Sequence, residues 1–196
     1  LKQALAYTTL MALGTITLFL AGDSSYALTA AVTFLIVHSL YKAALFMVVG
    51  AIDHGTGTRD VAMLGGLRRA LPITALAAAL AGLSMAGLPP LIGWIGKELL
   101  YAGAETLRPA PLIILGVLCA NALMVAVAGV VALRPFWGAQ VQTPHPPHEA
   151  PWQMWVGPLL LGVLGLIFGL GAGLLQPMVG AMVTGTGGHM ISLNAK

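Results

Sequence analysis

Met85-Ala-Gly-Leu-Pro-Pro-Leu-Ile-Gly-Trp-Ile-Gly-Lys-Glu98 sets a lysine inside an apolar segment and breaks the backbone just before it. Apolar sequence runs from Leu71 to Tyr101 with Lys97 and Glu98 as its only charges. As one straight helix it would reach about 45 Å, against a hydrocarbon core of about 30 Å. Pro89 and Pro90 each lack an amide hydrogen and obstruct the preceding turn, while Gly87, Gly93 and Gly96 add backbone freedom around them. The segment therefore reads as a discontinuous helix broken at Pro89-Pro90. Unwound backbone at membrane depth is tolerated only where protein or a wet cavity satisfies it, and broken helices of this kind line ion sites in transporters. An ammonium at that depth is costly, so Lys97 is read as functional; the plainer alternative is a helix-end lysine reaching the headgroups.

Working outward, composition agrees with a membrane setting. The chain is 58% hydrophobic and only 8% charged, with a mean hydropathy of +0.92, which excludes an ordinary water-soluble domain. The net charge of +3 comes from basic residues scattered among loops and buried positions. They form no patch, so no nucleic-acid partner is expected, and the basicity reads as membrane topology. Cys119 stands alone in an apolar run, which leaves neither a disulfide framework nor a cysteine metal site. The sequence opens at Leu1 without a cleavable signal pattern and a helix begins almost at once, so a fragment of a longer polypeptide is expected.

Around the broken segment, helices are expected over about Ala4–Ala21, Tyr26–Ile52, Pro111–Leu133 and Trp152–Leu175. The fold class is all-α, a polytopic transmembrane protein of about five crossings. Gly22-Asp-Ser-Ser25 is a turn, Arg134-Pro135 closes the fourth helix, and Trp152 and Trp155 read as interfacial anchors. The organisation is a transmembrane module over 1–135, a polar proline-rich loop over 136–152, a further helix over 153–176 and a flexible or interfacial tail over 177–196. Alternating loops put Lys2, Arg59, Arg68, Arg69 and Arg134 on one side and Arg108 and Lys196 on the other, which predicts a cytoplasmic loop 53–70.

His38 and Lys42 lie four apart on one helix face, close enough for bridging waters, with the hydroxyls of Ser39 and Tyr41 beside them. Burial disfavours the charged form of each and each cation disfavours the other, a combination suited to a proton relay. The alternative is a histidine bonded to a neighbouring helix and a lysine paired with a carboxylate. Lys97 becomes a third member if the broken helix packs beside this one. Glu98, turned about 100° from it, is either an accessory or a helix-end carboxylate. Asp53 and His54, with Arg59 and Asp60, form either a proton or cation uptake point or a solvated loop. His145 and His148 lack a supporting ligand set, so no metal is expected. Tyr7, Thr8 and Thr9 suit either water along a channel or helix packing. No nucleotide motif or nucleophile elbow occurs, so no cofactor and no catalytic residue are expected and the chain reads as no enzyme.

Three ordered motifs resemble a known family. Leu1-Lys-Gln-Ala-Leu-Ala-Tyr-Thr-Thr9, His38-Ser-Leu-Tyr-Lys-Ala-Ala-Leu-Phe46 and Ala86-Gly-Leu-Pro-Pro90 through Gly93-Trp-Ile-Gly-Lys-Glu98 are similar to the signatures of the antiporter-like subunits shared by respiratory complex I and the Mrp-type cation/proton antiporters. The likeness covers about residues 1–135, and the loop Ile52-Asp-His-Gly-Thr-Gly-Thr-Arg-Asp60 most resembles that of the large A-type component of Mrp or Pha systems. The resemblance implies a secondary-transporter subunit in a bacterial inner membrane, exchanging Na+ or K+ for protons in pH homeostasis, with other membrane subunits of a hetero-oligomeric antiporter as partners. It implies that His38, Lys42 and Lys97 relay protons. Its rivals are a proton-pumping subunit of NADH:quinone oxidoreductase and a non-transporting assembly subunit. Gly96 stands where the family usually has serine, and the family's upstream half is absent from this sequence, so about half a pathway is expected here.

Overall fold

The computed structural model describes residues 1–185, and all regular structure among them is helical. In helix α1 (Lys2–Leu20) the hydroxyls of Thr9, Thr15 and Thr17 donate to the carbonyls of Leu5, Met11 and Leu13 of the same helix. Helix α2 (Ser25–Thr56) is capped by Ser24, whose Oγ accepts from Tyr26 N at 3.2 Å, and it ends at Gly57 with φ of 76°. Its 32 residues reach about 48 Å, more than a bilayer core requires, so it either tilts or overhangs.

Apolar sequence continues in α3 (Pro72–Ala86), α4 (Ile92–Thr106) and α5 (Ala110–Ala128), the last extended by a π-helical turn at Gly129–Leu133. Helix α6 (Trp152–Leu170) leads through a 3-10 turn at Ala172–Leu174 into α7 (Gln176–Gly185). Four spans, Lys2–Leu20, Ser25–Thr56, Ala110–Leu133 and Trp152–Leu170, are long and apolar enough to cross a bilayer. Of the interrupted pair α3 and α4, α3 is a shorter apolar helix. The protein is thus an all-α, multi-pass membrane protein.

Helix α2 is the hub, packed by α1, α3, α4, α6 and α7. The Gly22 turn meets Leu107 at one end of the bundle. At the other end Leu67 N and Arg68 N donate to the carbonyls of Pro135 and Phe136. That second end carries Arg59, Arg68, Arg69 and Arg134, whereas Arg108 lies at the first.

Two expectations about the C-terminal part change. The helix expected to run to about Leu175 stops at Leu170, because Gly171 leaves helical geometry with φ of −126° and ψ of 62°. The tail read as flexible or interfacial from 177 instead continues as α7 through Gly185, burying Val179 and Val183. Its remainder, 186–196 with Lys196, lies outside the described residues. The loop expected over 136–152 has no helix before Trp152, yet it docks: His145 N and His148 N donate to Thr56 O and Gly55 O at 3.1 and 3.3 Å. Only glycine at 55 admits this strap, since a side chain there would meet the His148 carbonyl.

Candidate functional site

Three buried side chains near the middle of α2 carry titratable groups. His38 and Lys42 are each 5% exposed and Tyr41 is 3% exposed. His38 Nδ1 and Tyr41 Oη share a hydrogen bond of 2.9 Å, and the phenol also reaches the Met124 sulfur on α5 at 4.0 Å. That contact orients the imidazole and leaves its other nitrogen, Nε2, buried with no hydrogen-bond partner among the described residues. Thr33 Oγ1 and Ser84 Oγ, the latter close to the helix break, share that condition. Buried polar atoms without protein partners suit internal water.

Lys42 finds its hydrogen-bond acceptors on α1. Its ammonium donates to Leu5 O at 2.7 Å and to Thr8 Oγ1, so α1 supplies both acceptors. Thr8 itself is buried, whereas Tyr7 is 66% exposed and Thr9 is engaged with its own helix. Of the hydroxyl group Tyr7, Thr8 and Thr9, Thr8 alone joins the site. Removing its hydroxyl takes one acceptor from a buried ammonium. Thr8→Val in the full subunit should therefore cost about 1.5–3 kcal/mol, read as a lower unfolding midpoint in detergent, while Thr8→Ser should restore it.

Lys97 reaches its place through the break at 87–91. Gly87 closes α3 with φ of 79°, a conformation that favours glycine. Its amide donates to Ser84 O and that of Leu88 to Leu83 O. Pro89 and Pro90 then prevent the helix from resuming before Ile92. The Lys97 stem lies across Gly87, and its Nζ donates to the carbonyl of Ala86 at 2.9 Å. The C-terminal end of α3, where partial negative charge gathers, is a favourable place for an ammonium. Gly93 sits against the Ser84 carbonyl, and Gly96 admits the Val37 side chain of α2. The broken helix therefore packs beside α2, with Lys97 and His38 each one residue beyond that Gly96–Val37 contact.

The remaining expected residues separate. Ser39 faces outward and donates to Leu35 O at 2.7 Å, because it lies about 100° around α2 from His38. It is not beside the buried pair, which corrects that expectation. Glu98 is exposed and forms no ion pair with Lys97; both line a cavity of about 320 Å³ with Gly87, Trp94 and Tyr101. Asp53 pairs with Arg59 at 2.9 Å at the end of α2, and His54 packs on His148 with ring centroids 6.0 Å apart. Among the described residues no group of three or more His, Cys, Asp or Glu could hold a metal ion. Sequence reading missed the Leu5 carbonyl, the hydrogen bond from Asn121 Nδ2 to Tyr101 Oη, and the contacts of Glu149 with α3.

A family model described as NADH:quinone oxidoreductase/Mrp antiporter, transmembrane, matches residues 1–125. The chain belongs to this proton-antiporter family. The family segment holds His38, Lys42 and Lys97 and ends within α5, so the 143–150 strap and α6 lie beyond it. The chain is 39% identical over 160 residues to the A/B component of a probable K+/H+ antiporter of Rhizobium meliloti (strain 1021), covering 77% of this chain and 16% of the relative. It is 34% identical over 215 aligned positions to the A1 component of a Na+/H+ antiporter of Staphylococcus aureus (strain Newman), covering 97% and 27%. The structure of the Mrp complex from Dietzia sp. DQ12-45-1b contains a chain that matches with a TM-score of 0.77 at 35% identity, over 92% of this chain and 20% of that one. This antiporter-family chain thus spans between a sixth and about a quarter of the length of these curated relatives.

Proposed function

We propose that this chain forms part of a multi-component antiporter in a bacterial membrane, exchanging Na+ or K+ for protons, and that His38, Lys42 and Lys97 hold and pass the protons. The observation that carries the reading is the way the two lysines are held. Lys42 is buried and Lys97 half-buried on their apolar helices, and each donates to a main-chain carbonyl rather than to a carboxylate. A carboxylate partner would lock an ammonium in its charged form through Coulombic attraction, whereas a neutral carbonyl solvates it and lets it release its proton. The unpartnered His38 Nε2 adds a ring nitrogen that can take up a proton when neutral and give it up when protonated. Such an arrangement performs proton transfer without bond chemistry, so the chain acts as a transporter component rather than a catalyst.

The partners are other membrane subunits and the surrounding lipid. The basic end, with Lys2, Arg59, Arg68, Arg69 and Arg134, faces the cytoplasm by the positive-inside rule. Asp53 and Glu98 stand at the edges of this path, as accessories. The relatives named as cation/proton antiporter components favour this reading over a redox-driven pump. Neighbouring genes separate the two, since a pump requires dehydrogenase and iron–sulfur subunits.

The test is cation-dependent dissipation of a pH gradient in everted vesicles that carry the full assembly with Lys42→Met. The relay reading expects exchange to fall by about 100-fold at unchanged complex abundance. Unchanged exchange would sink it, and loss of the complex itself would point to a structural lysine.

A further inference from the structure

Helix α3 lacks a cap of its own. Its N-cap residue is Leu71, which offers no side-chain acceptor, and Pro72 follows. Ala75 N is satisfied by Leu71 O at 2.9 Å. The amides of Ile73 and Thr74 are left, and both donate to Glu149 Oε2, at 2.8 and 3.3 Å, while Thr74 Oγ1 donates to Oε1. A carboxylate on the first turn of a helix satisfies orphaned amides and complements the positive end of the macrodipole. Here the cap arrives from a strap 75 residues further along the chain.

That strap is itself anchored, because His145 N and His148 N bond the last turn of α2. Beyond it, α6 runs alongside α3. Gly162 lies against Leu80, Gly165 near Ser84 Oγ, and Gly169 directly on the backbone from Pro90 to Ile92. The strap and α6 therefore grip α3 at its capped end and at the break. Between those grips stands one helix of 15 residues, whose last carbonyl, Ala86 O, holds the Lys97 ammonium. A hydrogen-bonded helix is stiff along its axis, so a restraint at its first turn fixes the height of its last.

We infer that Glu149 is a positioning residue for Lys97: it caps α3 from the strap, and α3 carries that restraint to the carbonyl on which the lysine rests. The purpose of the restraint, keeping the amine in register with its path, rests on the relay reading above. The positioning itself does not.

The experiment uses the full antiporter assembly in everted vesicles with Glu149→Ala, Glu149→Gln and Glu149→Asp, and Lys97→Met as control. A change in the surroundings of the amine is read from the rate at which a membrane-permeant anhydride acylates Lys97, followed by mass spectrometry. Glu149→Gln, which keeps the shape but only one acceptor oxygen, should change that rate by about threefold, the scale of one lost hydrogen bond. Glu149→Asp, which keeps both oxygens, should return it toward the parent value. Glu149→Ala should lower exchange by about threefold and move the pH of half-maximal exchange, with Ile73 and Thr74 amides exchanging hydrogen faster. Should the alanine variant fail to assemble, the glutamine and aspartate variants decide. An unchanged acylation rate in Glu149→Gln overturns the inference, as do faster amides with an unaltered rate and pH profile of exchange. Exchange retained in Lys97→Met would instead bring down the relay reading, and acylation would still decide the role of Glu149.

Discussion

Lys97→Met should reduce cation-driven proton exchange by about 100-fold or more while the complex still assembles, an effect on transport at least as large as that expected of Lys42→Met. Methionine matches the lysine stem in length and lies across Gly87 without a charge to solvate. What is lost structurally is one hydrogen bond to Ala86 O, whose carbonyl then lacks that donor at a cost of about 1–3 kcal/mol. Set against this, an ammonium no longer has to be held at membrane depth, a gain of about the same size. Abundance should therefore change little, whereas a missing relay group should reduce exchange by about 100-fold or more. Lys97→Arg sharpens the test. Arginine keeps the charge and the donors yet does not give up its proton in proteins. A lysine that serves only to pair with the α3 terminus should be replaced well by arginine; one that hands on protons should not. Measured exchange near the parent level in Lys97→Arg would remove Lys97 from the proton path.

The parts of this fold that were legible in advance are those governed by local chemistry. Apolar length separates the crossings, and Pro89 with Pro90 places the break inside the observed 87–91 gap, because two consecutive prolines remove two amide donors and obstruct the preceding turn, whereas the single Pro158 leaves α6 continuous. Burial of Lys42 and His38 followed from their central position in a long apolar run. What stayed illegible depends on side-chain direction and on distant partners. A spacing of four puts His38 and Lys42 on one face, but it does not name the hydrogen-bond partners of either: Tyr41 for the imidazole and α1 for the ammonium. No local rule names Leu5 O as an acceptor, since a helical carbonyl already has an amide donor and looks satisfied. Ser39 was grouped with the pair by adjacency in sequence, although adjacent helical residues diverge by about 100°. Glu149 carried no signal, because its partners lie on a helix whose own N-terminus shows only leucine and proline. The end of α6 was misjudged for a related reason: a hydrophobic run continues through Leu175, and the turn at Gly171 interrupts it without a polar residue.

Gly93→Ala should be the most destabilising exchange of a single hydrogen for a methyl group in the family segment. An added Cβ would fall on the main-chain carbonyl of Ser84, an atom that cannot swing aside as a side-chain end can. Helices α3 and α4 would have to separate at the break, and overpacking of this kind costs about 3 kcal/mol. The sign of the effect is what identifies the cause. In a helix that met no obstacle, the same change should stabilise by about 1 kcal/mol through helix propensity alone. Gly116 on α5 supplies that control, because nothing lies within 4 Å of its would-be Cβ. The detergent-solubilised full subunit should therefore unfold at a lower temperature with Gly93→Ala and at an equal or higher one with Gly116→Ala. Equal behaviour of the two would mean that α4 does not approach α3 at Gly93. A second consequence follows from position. Lys97 stands about one turn beyond Gly93 and depends on the end of α3 for its acceptor, so any Gly93→Ala complex that survives should also exchange more slowly. Restoring space on the α3 side cannot rescue it, since the obstructing atom belongs to the backbone. Glycine is therefore required at 93 for close approach, as it is at 87 for the left-handed turn, and the same two conditions that break the helix place Lys97 on the carbonyl of Ala86.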